Sequence, residues 1–349
     1  MLDLQRLFND PDQFLFNFEG QDAVFVSMDR DAYQRSIFLD RRIQPKSSTG
    51  EKAALASLYG AQERTGAQPR DIGYIFHIAH CGSTLLARAL DLKDANLVCR
   101  EPMALRQLGV QGAKSFGQPL ADDWRRRATL AATLLSRRYN QDGPVILKAN
   151  VPVNFIIDPL MQLRPEQPAI FLHFSLEHYL LAILRSTGHA QWLDRVSKEL
   201  QSGIDGATSG ANAAHTPPAQ AARLWLAQML EYARALEKYP NAVSLDAEVF
   251  FNQPRDVLAA SFTRFGQPQE AKQVDSIVQS DLFTRYSKDP NMAYDNATRL
   301  SLQQALRREL GGSLAEARSW IESQPATKRL PAKLAKPLVG DGRDLLGSA

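Results

Sequence analysis

Cysteine is nearly missing from this chain: Cys81 and Cys99 are the two thiols in 349 residues. Two thiols cannot build a disulfide framework or a four-thiolate metal site. The six histidines are scattered, none with HExxH-type spacing, which speaks against a dedicated zinc site. Long apolar runs are absent too. Stretches such as "YLLAIL" fall far short of the roughly 20 residues that cross a bilayer. The opening "MLDLQRLFNDPDQ" has no basic region followed by an apolar one, so no export signal is visible and a soluble, cytoplasmic protein is expected. Charge of one sign is not in excess either. With 41 basic and 38 acidic residues the net charge is +3, too even to call for nucleic acid or a membrane as partner.

What is present falls into three stretches. Residues 1–70 carry the strand-like "DAVFVSM" and "SIFLD", the helix-like "GEKAALASLYGAQ" and a polar link through Pro69, and read as an N-terminal α+β extension or small subdomain. From residue 71 to 324, apolar strands alternate with helices. "GYIFHIA", "NLVCR", "PVILKAN", "PAIFLHF" and "NAVSLDAEVF" supply strands; "STLLARALDL", 121–139, "LEHYLLAILRS" and 219–238 supply helices. That alternation implies an α/β three-layer sandwich around a mainly parallel sheet. Residues 202–218, "SGIDGATSGANAAHTPP", are small and polar and are expected to form a mobile loop. The basic, proline-interrupted tail 325–349 is expected to be poorly ordered.

The chemistry concentrates in "FHIAHCGSTLLARAL", residues 76–90: strand, short loop, amphipathic helix. Backbone N–H groups wrapped into a helix start bind anions without a charged side chain. Gly82 permits close approach, and Ser83 and Thr84 add hydroxyl donors. A Walker A loop reads GxxxxGK[ST]; here His77 stands at the first glycine and Ser83 at the lysine, which removes the group that neutralises a triphosphate. Glu101, at the end of a strand beside this loop, is placed to act as a base, and Lys148 ends an apolar strand where an unpaired ammonium would be costly. Glu101 also has a structural reading, pairing with Arg100 or capping a neighbouring helix, and Lys148 has one with Asp158.

"CGSTLLARAL", "VCREPMAL", "VILKAN" and "VSLDAEVFFNQPRDVLAASFTRFG", in that order over about residues 72–266, resemble the sulfotransferase family. The resemblance implies a P-loop-like fold and 3′-phosphoadenosine 5′-phosphosulfate (PAPS) as donor, with the 5′ end held by His80, Cys81, Gly82, Ser83 and Thr84, and no metal is expected because the loop N–H groups can neutralise a phosphosulfate. It implies Glu101 and Lys148 as catalytic residues, with His80 where relatives carry Lys or Arg. Ser175 stands where relatives have the arginine that grips the 3′-phosphate; Arg185 and Ser186, on one helix face, and Arg285 and Lys288, in a late polar loop, are further nucleotide-binding candidates. The acceptor would be a small molecule, glycan or peptide bearing a hydroxyl or amine, bound by loops 103–123 and 187–218. Two other readings remain open at this level: an ATP-dependent small-molecule kinase with a degenerate loop, and a binding or scaffold protein that keeps the fold without catalysis.

Overall fold

The computed structural model describes residues 3–4, 6–47 and 49–347. Gln13–Glu19 (β1) and Asp22–Ser27 (β2) form an antiparallel hairpin that turns through Gly20 at φ +58°. A short helix follows, Arg30–Arg35 (α1), capped by Asp29, which accepts from the Ala32 N–H at 2.7 Å. Gly50–Ala54 (β3) then pairs antiparallel with β2, giving the order β1-β2-β3. The helix expected from Gly50 therefore starts later, at Leu55–Thr65 (α2). The open edge of β2 offers backbone partners to residues 50–54, and these outweigh the local helical pattern. "SIFLD", expected as a strand, is irregular chain, but Leu39 bridges two backbone partners. It donates to the Arg100 carbonyl (2.7 Å) and accepts from the Met103 N–H (3.1 Å).

The second part begins with Ile72–His77 (β4), Ser83–Ala89 (α3), Leu97–Arg100 (β5), Met103–Lys114 (α4), Asp122–Leu135 (α5) and Val145–Lys148 (β6). It continues through Ile157–Met161 (α6), Ala169–His173 (β7), Leu176–Ile183 (α7), Thr187–Glu199 (α8), Gln201–Ala207 (α9), Pro217–Lys238 (α10) and Ala242–Asp246 (β8). The five strands pair in parallel in the order β5-β6-β4-β7-β8 and are buried on both faces, as an apolar parallel sheet requires. On one face Phe76 stacks on Phe171 at 5.1 Å between centroids, and Tyr232 of α10 covers Phe171 at 4.8 Å. On the other, Gly73 leaves room for the ring of Phe265, at the end of a later helix; a Cβ at residue 73 would overlap that ring. The fold is the expected α/β sandwich of three layers with an N-terminal α+β extension. The β4 connection leaves toward β5 and the β7 connection toward β8, so a crevice opens between the carboxyl ends of these neighbours, where ligands bind in open parallel sheets.

Ala247–Asn252 (α11), Pro254–Arg264 (α12), Ala271–Val278 (α13), the small hairpin Arg285–Tyr286 (β9) and Asp289–Ala293 (β10), Asn296–Glu309 (α14) and Gly311–Glu322 (α15) complete the chain. Two expectations need correcting. Half of 202–218 is helical, because its small residues serve close packing: side chains at Gly203 and Gly206 would run into Phe155 and Phe116. The remainder is tied to α15 and beyond, with Trp320 donating to the Ala213 carbonyl (3.4 Å) and the Asn212 N–H donating to Gln324 (2.6 Å). The tail is packed as well. Buried Leu334 and Leu345 anchor it, and it covers the exposed edge of β8: Ser244 donates to the Lys336 carbonyl (2.9 Å) and accepts from the Leu338 N–H (2.8 Å).

Two buried arginines fasten the N-terminal extension to the sheet domain. Arg100, at the end of β5, pairs with Asp91 (2.7 Å) and donates to the carbonyls of Gln34 (3.2 Å) and Ser36 (2.8 Å). Arg137 donates to the carbonyls of Leu7 (2.6 Å), Asp10 (2.7 Å) and Gln13 (2.7 Å). Removing either guanidinium strands several buried acceptors at once. R100M should destabilise the protein by about 3–5 kcal/mol and open the segment around residues 36–47 to proteolysis, checked by thermal denaturation and limited digestion. An unchanged digestion pattern would show that the extension holds without this fastening.

Candidate functional site

β4 runs off the sheet at His77 and turns into α3 through residues 78–82. Gly82, at φ +82°, caps α3, and a Cβ there would lie 2.6 Å from Cζ of Phe251, so both backbone and packing demand glycine. Among the described residues three non-glycines have positive φ: His80 (+63°), Glu101 (+57°) and Lys336 (+51°). The first two sit at the carboxyl ends of β4 and β5 and line one cavity, which is where local strain accumulates in functional sites.

That cavity holds about 600 Å³ and opens over the carboxyl edge of the sheet. Eight lysine and arginine side chains line it, against the carboxylates of Asp40, Glu101 and Asp295. The chain as a whole carries only +3, so positive charge is concentrated here, and a confined positive field draws anions. Several of the cations already have partners: Arg106 has Glu199 (2.5 Å), Arg42 has Asp40 (2.5 Å) and Arg299 has Glu248 (3.0 Å). Lys288, carried in by the β9–β10 hairpin, has no hydrogen bond or ion pair among the described residues. Burial draws its pKa below the ordinary lysine value, with Glu101 opposing. Among the described residues the buried Thr84 hydroxyl has no partner either. An unpaired ammonium and an unpaired hydroxyl beside the loop are the donors an oxyanion would satisfy.

In the same cavity Lys148 is wholly buried and donates to Oε1 of Glu101. Register places it there: Lys148 pairs with Ile75 of β4 and Arg100 of β5, and the Glu101 N–H donates to the Lys148 carbonyl at 2.8 Å. Asp158, the structural alternative for Lys148, is occupied by Lys238 (2.5 Å) and Tyr239 (2.7 Å). Arg100, the alternative for Glu101, is committed to Asp91. Burial alone would raise the Glu101 carboxyl, but the Lys148 charge, then His77 and the Lys148 hydrogen bond, outweigh it and hold the group down at about 2. Burial lowers Lys148 from its ordinary value, and Glu101 offsets part of that. Arg42 of the extension stands 3.9 Å from the second Glu101 oxygen and lies over the Phe38 ring at 3.6 Å.

The fold brings His80, Gly82, Ser83, Thr84, Glu101, Lys148, Arg185, Arg285 and Lys288 to this cavity. His80 lies against His189 at 4.1 Å between centroids; burial, then Lys288, push it down to about 2, so it is a neutral hydrogen-bonding group and no substitute for a fixed cation. Arg185 donates to His189 at 3.1 Å. Three sequence candidates stand outside the lining. Cys81 is buried beneath the loop, its thiol donating to the Ile78 carbonyl at 3.0 Å, and burial pushes it up to about 12, far from a reactive thiolate. Ser175 begins α7 with its hydroxyl 2.8 Å from His178 Nδ1, and Ser186 caps α8. Sequence reasoning missed Phe38, Asp40 and Arg42, which nothing in their local pattern marks, and His77, read only as a missing glycine. The stripe Trp192, Arg195 and Val196 on α8 was visible as i, i+3, i+4 spacing.

The Glu101–Lys148 pair has a measurable signature. Because the folded carboxyl lies below the ordinary 4.5, its contribution to stability is complete above that pH and is lost as pH falls toward 2. E101Q should flatten this part of the acid unfolding curve. It should also destabilise the protein near neutral pH by about 3–5 kcal/mol, because it leaves the wholly buried Lys148 without its charged partner. E101Q/K148M should recover most of the loss in a double-mutant cycle, and additive effects would show the pair is not coupled.

No protein-family model matches this sequence, and no curated protein matches it. Among solved structures, a sulfotransferase domain from the curacin biosynthetic pathway is similar to this chain. It has 14% identity and a TM-score of 0.39 over 70% of this chain and 98% of that one. At that identity and score the likeness carries neither a residue nor an activity across, and the chemistry rests on the cavity itself.

Proposed function

We propose that this protein transfers a sulfuryl group from PAPS to a hydroxyl or amine of a small-molecule, glycan or peptide acceptor. The observation that carries the reading is a cation-rich cavity in which two donors without a partner among the described residues, Lys288 and Thr84, share the lining with a buried carboxylate–ammonium pair. The sequence resemblance supplies the substrate class, and the residues present fit an extended polyanion.

In this reading the loop amides of residues 82–84, Thr84 and Lys288 receive the phosphosulfate end of the donor, and Arg185 with its His189 partner offers a further anion contact. Glu101 takes the proton of the acceptor as its oxygen or nitrogen attacks sulfur. The sulfur–oxygen bond to the 5′-phosphate breaks, and 3′-phosphoadenosine 5′-phosphate leaves. In the free protein Lys148 holds Glu101 too acidic to be an efficient base. A bound oxyanion competes for the Lys148 ammonium, removing the chief cause of that acidity, so the base strengthens when the donor is in place. Lys148 then stabilises the charge that develops on the leaving oxygen.

Calorimetric titration with 3′-phosphoadenosine 5′-phosphate, compared with ADP and with ATP plus Mg²⁺, tests the reading. Preference for the 3′-phosphorylated nucleotide is expected, and at a hundred times its Kd it should add about 2.7 kcal/mol of stability. K148M should lower PAPS-dependent transfer by at least tenfold. E101Q should stop turnover while binding the nucleotide at least as tightly as the parent, since Lys148 is freed. Preference for ATP with Mg²⁺ would replace this reading with a kinase, and binding of no nucleotide with a scaffold role.

A further inference from the structure

Buried titratable groups that the reaction above leaves idle include one whose placement is hard to ascribe to packing. His77 ends β4, is 5% exposed, and borders the cavity. Its Nδ1 lies 2.8 Å from the Ile78 carbonyl, a pure acceptor, so Nδ1 carries the hydrogen and Nε2 is left with a bare lone pair. Nε2 is buried and has no hydrogen-bond partner among the described residues. It lies 3.7 Å from Oε1 of Glu101, the oxygen to which Lys148 donates. Two acceptors thus face one another across a gap that a single proton would close. The backbone at this point is held from behind: Asn154 donates to the His77 carbonyl at 3.0 Å and to Gln228 at 2.8 Å.

We propose that His77 is a proton-relay residue that acts through Glu101, taking over the proton that Glu101 removes from the acceptor; this rests on the sulfuryl-transfer reading. The acceptor O–H bond breaks, its electron pair goes to the new bond with sulfur, and the proton binds Glu101 Oε1. With Lys148 drawn to the leaving oxygen, Glu101 must lose this proton again before the carboxylate and the ammonium can re-pair. Passing the proton to Nε2 restores the carboxylate, which then sits between the Lys148 ammonium and the new imidazolium, with both imidazolium N–H groups satisfied by Ile78 and Glu101. The proton returns to solvent by way of Glu101 after the product leaves. The charged and titratable groups facing the ring are Glu101 from the end of β5, Lys148 from β6, Lys288 from the hairpin and His80 from the loop. Burial, then Lys148, lower the ring to about 3, so it is neutral in the free protein, and its basicity rises when a bound oxyanion offsets the Lys148 charge.

The experiment has two arms. In the first, H77N and H77Q are compared with the parent for 3′-phosphoadenosine 5′-phosphate affinity and single-turnover sulfuryl transfer in H₂O–D₂O mixtures. The expected result is affinity within twofold, a rate lowered by about tenfold or more, and a curved proton inventory in the parent that becomes linear in the variants. An unchanged rate and inventory, or joint loss of affinity and melting point, would overturn the proposal and leave His77 a packing residue. The second arm needs no turnover. ¹⁵N-histidine NMR of the parent should show His77 as the Nδ1–H tautomer, titrating upward in K148M and downward in E101Q. A His77 that ignores both substitutions overturns the relay. If no nucleotide binds while the NMR coupling is present, the sulfuryl-transfer reading fails separately.

Discussion

A wholly buried ammonium needs a counter-charge within reach, and in this protein Lys148 finds it in Glu101. Much of the site follows from that requirement. The two residues come from adjacent strands of a parallel sheet, so satisfying Lys148 fixes how β5 ends relative to β6. It also accompanies the left-handed backbone at Glu101, which turns the carboxylate back over the strand ends. The pairing keeps the carboxylate ionised and makes it a weak base until something else draws off the ammonium. A site held in that state responds to the arrival of an anion without any large movement of the chain.

The N-terminal extension belongs to the same arrangement. Its three-stranded sheet packs through β1 against α4 and α5 of the larger domain. It is fastened to the larger domain by arginines that spend their donors on backbone carbonyls, an economical way to hold irregular chain because one guanidinium satisfies several acceptors. Arg100, the residue before Glu101, is one of these. Fastening the extension and positioning the carboxylate are thus adjacent tasks in the chain, and Phe38 and Arg42 come to border the cavity as a result.

The sheet domain was readable from local pattern. Short apolar runs such as "VILK" and "AIFLH" are buried on both faces as their composition demands, and the glycine at residue 82 stands where a tight turn and close packing leave no room for a side chain. The misreadings share one cause, which is that local composition has two meanings. Glycine and alanine in 202–207 look like mobility but serve helix contact. Proline and lysine in the tail look like disorder, yet leucines spaced among them anchor it to a strand edge. Residues 50–54 took a strand because a neighbour offered hydrogen bonds, which no window of sequence contains.

By itself the sequence determined the layer architecture, the loop after β4, and the acid and the lysine that end the next two strands. These rest on period, chain order and residue type, all properties of neighbours along the chain. Tertiary structure alone decided that Glu101 and Lys148 bind each other and not Arg100 and Asp158, that Ser175 and Cys81 stand apart from the cavity, and that His77 turns a bare nitrogen toward Glu101. Those choices depend on distances between residues tens of positions apart and on how much water burial removes, and both exist only once the chain has closed.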